Sequence, residues 1–320
     1  MPPDRDRLLL ALDFGGTKLS AALLDDGQST WRDLRRTFSP PDADAAYDVR
    51  TMIEMARDLL QSQRPAAIGV SFGGPVDFER GVVRLSHHVP GWEDTPLAQQ
   101  LQDAFDAPVS VDNDANVAAL GEQRFGAGRG LQHLLYVTVS TGVGGGWILN
   151  GRPWRGAQGM AGEIGHTVVD PRGPRCLCGS RGCVERLASG PYMVQDARRR
   201  LQEDGGQGTV LRRLTDGDLK KITGELLSEA AAEGDSLAQS LLDRSGWALG
   251  TGIGNAANLV NPQRAVLGGG VTKAGERWWQ RVRETANAVT LPEVNIEIVP
   301  AELGDDAPLW GAVSLAQDLL

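Results

Sequence analysis

At 320 residues the chain is longer than one minimal domain and, at roughly 100–200 residues each, predicts about two. Hydrophobic residues make up 41% and charged residues 23%, an ordinary globular balance that excludes long disorder, a collagen-like repeat and a coiled coil. Lysine and arginine number 32 against 41 acidic residues, and the resulting charge of −9 opposes non-specific binding to nucleic acid or an anionic membrane. The polar start, Met1 to Arg7, precedes an apolar run, Leu8 to Leu12, that is too short for a signal-peptide core or a membrane span; a cytoplasmic location is expected.

In chain order, Leu8 to Leu12 leads into Asp13-Phe14-Gly15-Gly16-Thr17-Lys18 and a second apolar run, Ala21 to Leu24, which predicts a β-hairpin. Helices are expected over Asp48 to Gln61, Thr95 to Phe105 and Ala115 to Arg124. Gly126 to Gly130 reads as a hinge, dividing an N-terminal lobe, 1–128, from a C-terminal lobe, 129–320. About 125 residues after the first hairpin its plan returns: Leu134 to Val139, the turn Ser140 to Gly146, then Trp147 to Leu149. Asp204 to Asp218 reads as a loop between helices at Gly190 to Gln202 and Ser236 to Leu259. A third glycine turn, Leu267 to Gly270, follows Ala265-Val266, and the helix after Pro308 is expected to cross back onto the first lobe. Strands alternating with helices make this an α/β protein.

Each glycine turn offers backbone N–H groups that can surround phosphate oxygens, and each alone can equally be a plain hairpin. Neither the Walker spacing nor G-x-G-x-x-G is present, so the P-loop and Rossmann readings lack their defining pattern. Asp114, at the end of a strand where a helix begins, is either a helix cap or a general base, with Asp112 as the rival carboxylate. The three cysteines fall between Cys176 and Cys183, too few and too close for a disulfide framework. With His166 they form a Cys3His set suited to tetrahedral zinc; reduced bystander thiols are the alternative. Trp147, Trp154 and Trp310 read as core or interface residues.

Asp13 to Lys18, Ser140 to Gly146 and Leu267 to Val271 resemble the phosphate-1, phosphate-2 and adenosine motifs of the sugar kinase, Hsp70 and actin superfamily. Glu163-Ile164-Gly165-His166 and the block Cys176 to Glu185 look like the signature of the ROK family, and the resemblance runs from Leu8 to the Ala307-Pro308-Leu309-Trp310-Gly311-Ala312 element. It implies two lobes of actin-like, ribonuclease-H-like ATPase fold with the active site in the cleft between them. It also implies an ATP-dependent hexose kinase, a glucokinase making glucose 6-phosphate, because Glu163, His166 and Glu185 together resemble that branch. Asp114 would be the catalytic base, with Gly74, Asn113, Glu163, His166 and Glu185 at the sugar. Asp13, Gly15, Gly16, Thr17, Lys18, Thr141 and Gly142 would serve the phosphates, and Gly269 and Gly270 the adenosine. His166, Cys176, Cys178 and Cys183 would hold structural zinc, while magnesium would arrive with ATP near Asp13. A homodimer or homotetramer is implied. His87-His88 lies in a segment expected near the pocket, with no contact assigned. Other sugars (N-acetylmannosamine, N-acetylglucosamine, allose, mannose, fructose), polyphosphate as donor, and a sugar-sensing regulator stay open as alternatives. Family repressors carry a DNA-binding segment in front, and twelve residues before Asp13 leave no room for one, so no nucleic acid partner is expected.

Overall fold

The computed structural model describes residues 7–86, 88–203 and 206–320; His87, and Asp204 with Gly205 of the expected loop, lie outside them. The chain begins β1 (Leu8–Phe14), β2 (Lys18–Asp25), β3 (Asp33–Phe38), α1 (Ala45–Leu60), β4 (Ala67–Phe72), the short pair β5 (Val76–Asp77) and β6 (Val82–Val83), α2 (Leu97–Phe105), β7 (Val109–Asn113) and α3 (Asp114–Phe125). It continues through β8 (Leu134–Val139), β9 (Val143–Leu149), β10 (Arg152–Pro153), α4 (Val184–Ala188), α5 (Gly190–Glu203), α6 (Thr209–Leu214), α7 (Gly224–Ala232) and α8 (Ser236–Val260). The last elements are β11 (Arg264–Gly268), α9 (Glu276–Val289), β12 (Glu297–Pro300) and α10 (Ala307–Gln317).

The two sheets have one plan, β3-β2-β1-β4-β7 and β10-β9-β8-β11-β12. In the first, β2 runs antiparallel to β1 while β4 and β7 run parallel. In the second, β11 runs parallel to both β8 and β12. Parallel strands are buried on both faces, which is why Leu8 to Leu12 of β1 form a continuous apolar run rather than an alternating one, with every residue of the strand buried. On one face Leu10, Leu12 and Phe14 pack with Ile68, Val70 and Phe72 against α1 and α2 in a single core. Among the described residues no helix is long and apolar enough to cross a membrane.

The chain divides into two compact units, Met1–Gln132 with Gly146–Ala161 and Ala301–Leu320, and His133–Gly145 with Gly162–Pro300. Where the sequence alone draws one boundary at residue 128, the first unit therefore also takes in two later segments. Its buried Glu122 carboxylate accepts the N–H groups of Ala127, Glu302 and Leu303, tying the end of α3 to the chain just before α10. α10 lies on α3 and β4, closely enough that a Cβ on Gly69 would sit 1.7 Å from the Ala312 oxygen.

In the second unit, α8 carries glycines because α9 crosses it at short range: a Cβ on Gly250 would come within 2.5 Å of the Val282 oxygen, and one on Gly254 within 2.7 Å of Val289. The expected loop from Asp204 to Asp218 is corrected, since Thr209–Leu214 is a helix. Asp235 supplies the reason, because its carboxylate accepts the N–H groups of Val210 and Leu211 while Leu211 is fully buried.

Candidate active site

In the first unit, β1 and β4 end side by side and each runs into a glycine pair. The Gly73 N–H donates to the Phe14 oxygen at 2.9 Å, and a Cβ on Gly73 would lie 3.6 Å from the Gly16 nitrogen, so the turn at Gly15-Gly16 abuts the turn at Gly73-Gly74. The first turn closes through Gly15 N–H to the Lys18 oxygen at 3.0 Å, with Thr17 exposed and Lys18 opening β2. Asp13, just before it, is 6% exposed. Burial raises its carboxyl to about 6, against the Ser71 hydroxyl and the Lys18 and Arg36 charges that favour ionisation.

β7 runs into α3 at the candidate base. Asn113 is the N-cap, its Oδ1 accepting the N–H of Ala115 at 3.0 Å and of Asn116 at 3.4 Å, so the capping role weighed for Asp114 belongs to its neighbour. The Asn113 amide donates to the Gly74 oxygen at 3.1 Å and to Asp114 Oδ1 at 3.0 Å. Gly16, Gly73, Gly74, Asn113 and Asp114 thus form one contiguous surface. Asp112 points elsewhere: it is 2% exposed, its Oδ2 accepts Arg155 Nε at 2.7 Å, and its Oδ1 accepts the Asn113 N–H and the Asn116 amide. Arg155 also lies over the Phe78 ring at 3.4 Å. Asp112 is thus enclosed on all its carboxylate contacts, whereas Asp114 is half-buried.

In the second unit, the turn after β8 closes through Ser140 N–H to the Gly142 oxygen at 2.9 Å. Glu185, in the first turn of α4, reaches this turn: its Oε2 accepts the Val143 N–H at 3.0 Å, and a Cβ on Gly142 would lie 2.8 Å from that oxygen. Glu163 and His166 flank a single 3-10 turn, Ile164–His166, with Oε2 and Nε2 3.9 Å apart and both side chains half exposed. Gly269 has φ of +89°, which turns β11 into Gly270 with its backbone against Val139, an approach any Cβ would block. Gly270, Ser140, Thr141, Gly190, Met193 and Ser228 line a cavity of about 520 Å³, with Glu225 and Lys273 also on its wall. In the sequence, Gly190 to Gln202 reads as a helix with no site residue assigned to it, and α7 is not among the expected helices.

His166, Cys176 and Cys178 bring their ligand atoms within 4.8 Å of one another, and Cys183 Sγ lies 3.5 Å from Cys178 Sγ. The loop is turned by Cys176 N–H to the Ser180 oxygen and Gly179 N–H to the Cys176 oxygen. Three soft sulfurs and one imidazole, all supplied by protein, fit a closed four-coordinate metal site. The Cys178 thiol is lowered to about 7, chiefly by the Ser180 backbone N–H, while burial pushes Cys183 up to about 12. Of the three tryptophans, Trp147 is buried and Trp310 stacks on Trp31 and Phe125, but Trp154 is half exposed.

The family model described as "ROK family" matches residues 9–319. A glucokinase of Thermotoga maritima is 33% identical over 316 residues, covering 97% of each chain. The crystal structure of a ROK family glucokinase from Streptomyces griseus, in complex with glucose and AMPPNP, superposes with a TM-score of 0.83 at 33% identity, over 97% of this chain and 99% of that one. A ROK family transcriptional regulator, homologous to the E. coli MLC protein, gives a TM-score of 0.86 at 26% identity over 98% of this chain and 78% of that one. With the family model matched over nearly its whole length, this chain belongs to the ROK family.

Proposed function

We propose that the protein is an ATP-dependent glucokinase, transferring the γ-phosphoryl group of ATP to the 6-hydroxyl of glucose. The observation that carries this reading is the single surface of the first unit on which the glycine turn at Gly15-Gly16 abuts Gly73-Gly74, with Asp114 one hydrogen-bonded residue away. Phosphoryl transfer asks a protein for positioning and for a base at the attacking hydroxyl, and this surface offers both. Asn113, Gly74, Glu163, His166 and Glu185 bind the sugar hydroxyls. Asp114 accepts the hydroxyl proton as the oxygen–phosphorus bond forms and the bond to ADP breaks. Gly15, Gly16, Thr17, Lys18, Thr141 and Gly142 cradle the phosphates, and the cavity beside Gly270 takes the adenosine. Asp13 holds magnesium, directly or through water; the ion neutralises phosphate charge when bound. His166, Cys176, Cys178 and Cys183 hold structural zinc, which fixes the orientation of His166 and of the helix carrying Glu185.

The similarity to a transcriptional regulator supports a second reading, a sugar sensor without turnover. A coupled ADP-release assay on purified protein over a panel of hexoses separates the two. Glucose-dependent ADP release, faster than with the other sugars, is expected; tight glucose binding with no ADP release would favour the sensor.

A further inference from the structure

His88 is not absorbed by these roles, yet it lies on the phosphate turn. A Cβ on Gly16 would come 2.9 Å from His88 Cδ2 and 3.0 Å from Cγ, so the carbon edge of the imidazole rests on the turn backbone and glycine is what makes room for it. Ser86 Oγ accepts the N–H groups of His88 and Val89, both at 3.2 Å, and Trp92 is 1% exposed. The Trp92 ring packs on Phe14 at 5.6 Å and Phe72 at 4.7 Å, the last residues of β1 and β4 before the two glycine turns. The side chain of His88 itself is exposed, and among the described residues neither ring nitrogen has a hydrogen-bond partner. An imidazole thus lies beside a turn whose remaining backbone N–H groups, together with Lys18, suit an anion.

We propose that His88 binds the phosphoryl group in transit, its imidazole N–H donating to a non-bridging oxygen held at the Gly15-Gly16 turn, on the sugar phosphate product as well as on ATP. The assignment rests on the kinase reading above and adds to it a donor on the loop before Trp92. A hydrogen bond to a charged oxygen is worth about 10- to 100-fold in affinity.

The test compares wild type with His88→Phe, which keeps a ring against Gly16 but has no N–H, and His88→Asn, which keeps a donor. Calorimetric titration with glucose and with glucose 6-phosphate is the readout, with turnover of glucose measured in parallel. His88→Phe is expected to weaken glucose 6-phosphate about 10- to 100-fold and lower kcat while leaving glucose affinity unchanged, and His88→Asn to recover part of both. Wild-type affinity for glucose 6-phosphate in His88→Phe would overturn the proposal and leave His88 as packing, as would an equal loss for glucose. Wild-type protein that neither turns over glucose nor binds glucose 6-phosphate would overturn the kinase reading itself, and this one with it.

Discussion

Asp112 and Asp114 stand two residues apart and give opposite responses to the same change. Asp114→Asn keeps an oxygen for the Ala115 N–H, now accepted at 2.8 Å, and loses one negative charge at a helix start, so stability shifts by no more than about 1 kcal/mol. Turnover falls by about 10²- to 10⁴-fold, the contribution of a positioned general base. Asp112→Asn removes the charge opposite Arg155. Breaking a buried pair from one side costs about 3–5 kcal/mol. Because the Arg155 side chain keeps 22% exposure, water offsets part of this, and about 2–3 kcal/mol is the fitting figure. That is a fall in melting temperature of roughly 4–12 °C for a unit of this size. Surviving folded Asp112→Asn should retain turnover within about tenfold, its loss being one of positioning. The assay is kcat at saturating glucose and ATP beside thermal denaturation of each variant. Normal turnover in Asp114→Asn, or a larger catalytic loss and no destabilisation in Asp112→Asn, would refute the assignment of roles.

Three further outcomes are expected. Cys178→Ala should lose one bound metal per chain by elemental analysis and, with it, glucose affinity, since the loop leading to Glu185 is no longer held; a metal-free variant with full affinity would count against the zinc site. Asp13 is raised from 3.8 to about 6 on folding, so the folded chain binds more protons than the unfolded one in that window. Stability contributed there is full below about pH 4 and lost as pH rises to 6, by up to about 3 kcal/mol. Asp13→Asn should therefore melt higher than wild type above pH 6 in the absence of nucleotide, and parallel melting curves across pH would contradict the burial argument. Ser228→Trp, which fills the cavity beside Gly270, should abolish nucleotide binding in calorimetry while glucose still binds; unchanged ATP affinity would move the adenosine elsewhere.

The apolar runs of β1 and β8, each followed by a glycine turn, made both hairpins legible because a strand buried on two faces leaves a continuous hydrophobic signature. β3 was not, since Asp33-Leu34-Arg35-Arg36-Thr37-Phe38 has no buried residue and is held as an edge strand by its pairing with β2. α6 depends on Asp235, more than twenty residues later, for its N–H partners, a signal no local window contains. Arg155, which pairs with buried Asp112, approaches from a segment forty residues further on, so the enclosure of Asp112 has no local signal. Residue type and spacing put His166 with the cysteine block, and the structure brings the ligand atoms of His166, Cys176 and Cys178 within 4.8 Å of one another. His88 could not be ranked, because its neighbour Gly16 is brought to it only by the packing of Trp92 on two strand ends.

Phosphoryl transfer is read out by incubating the purified chain with uniformly labelled glucose, ATP and magnesium, and identifying the phosphorylated carbon by NMR while ADP is counted in the same sample. Glucose 6-phosphate is expected as the sole sugar product, with one ADP for each, and neither is expected in Asp114→Asn on the same timescale. Glucose that raises the melting temperature but is recovered unphosphorylated, or ADP formed without a sugar phosphate, would contradict the kinase reading.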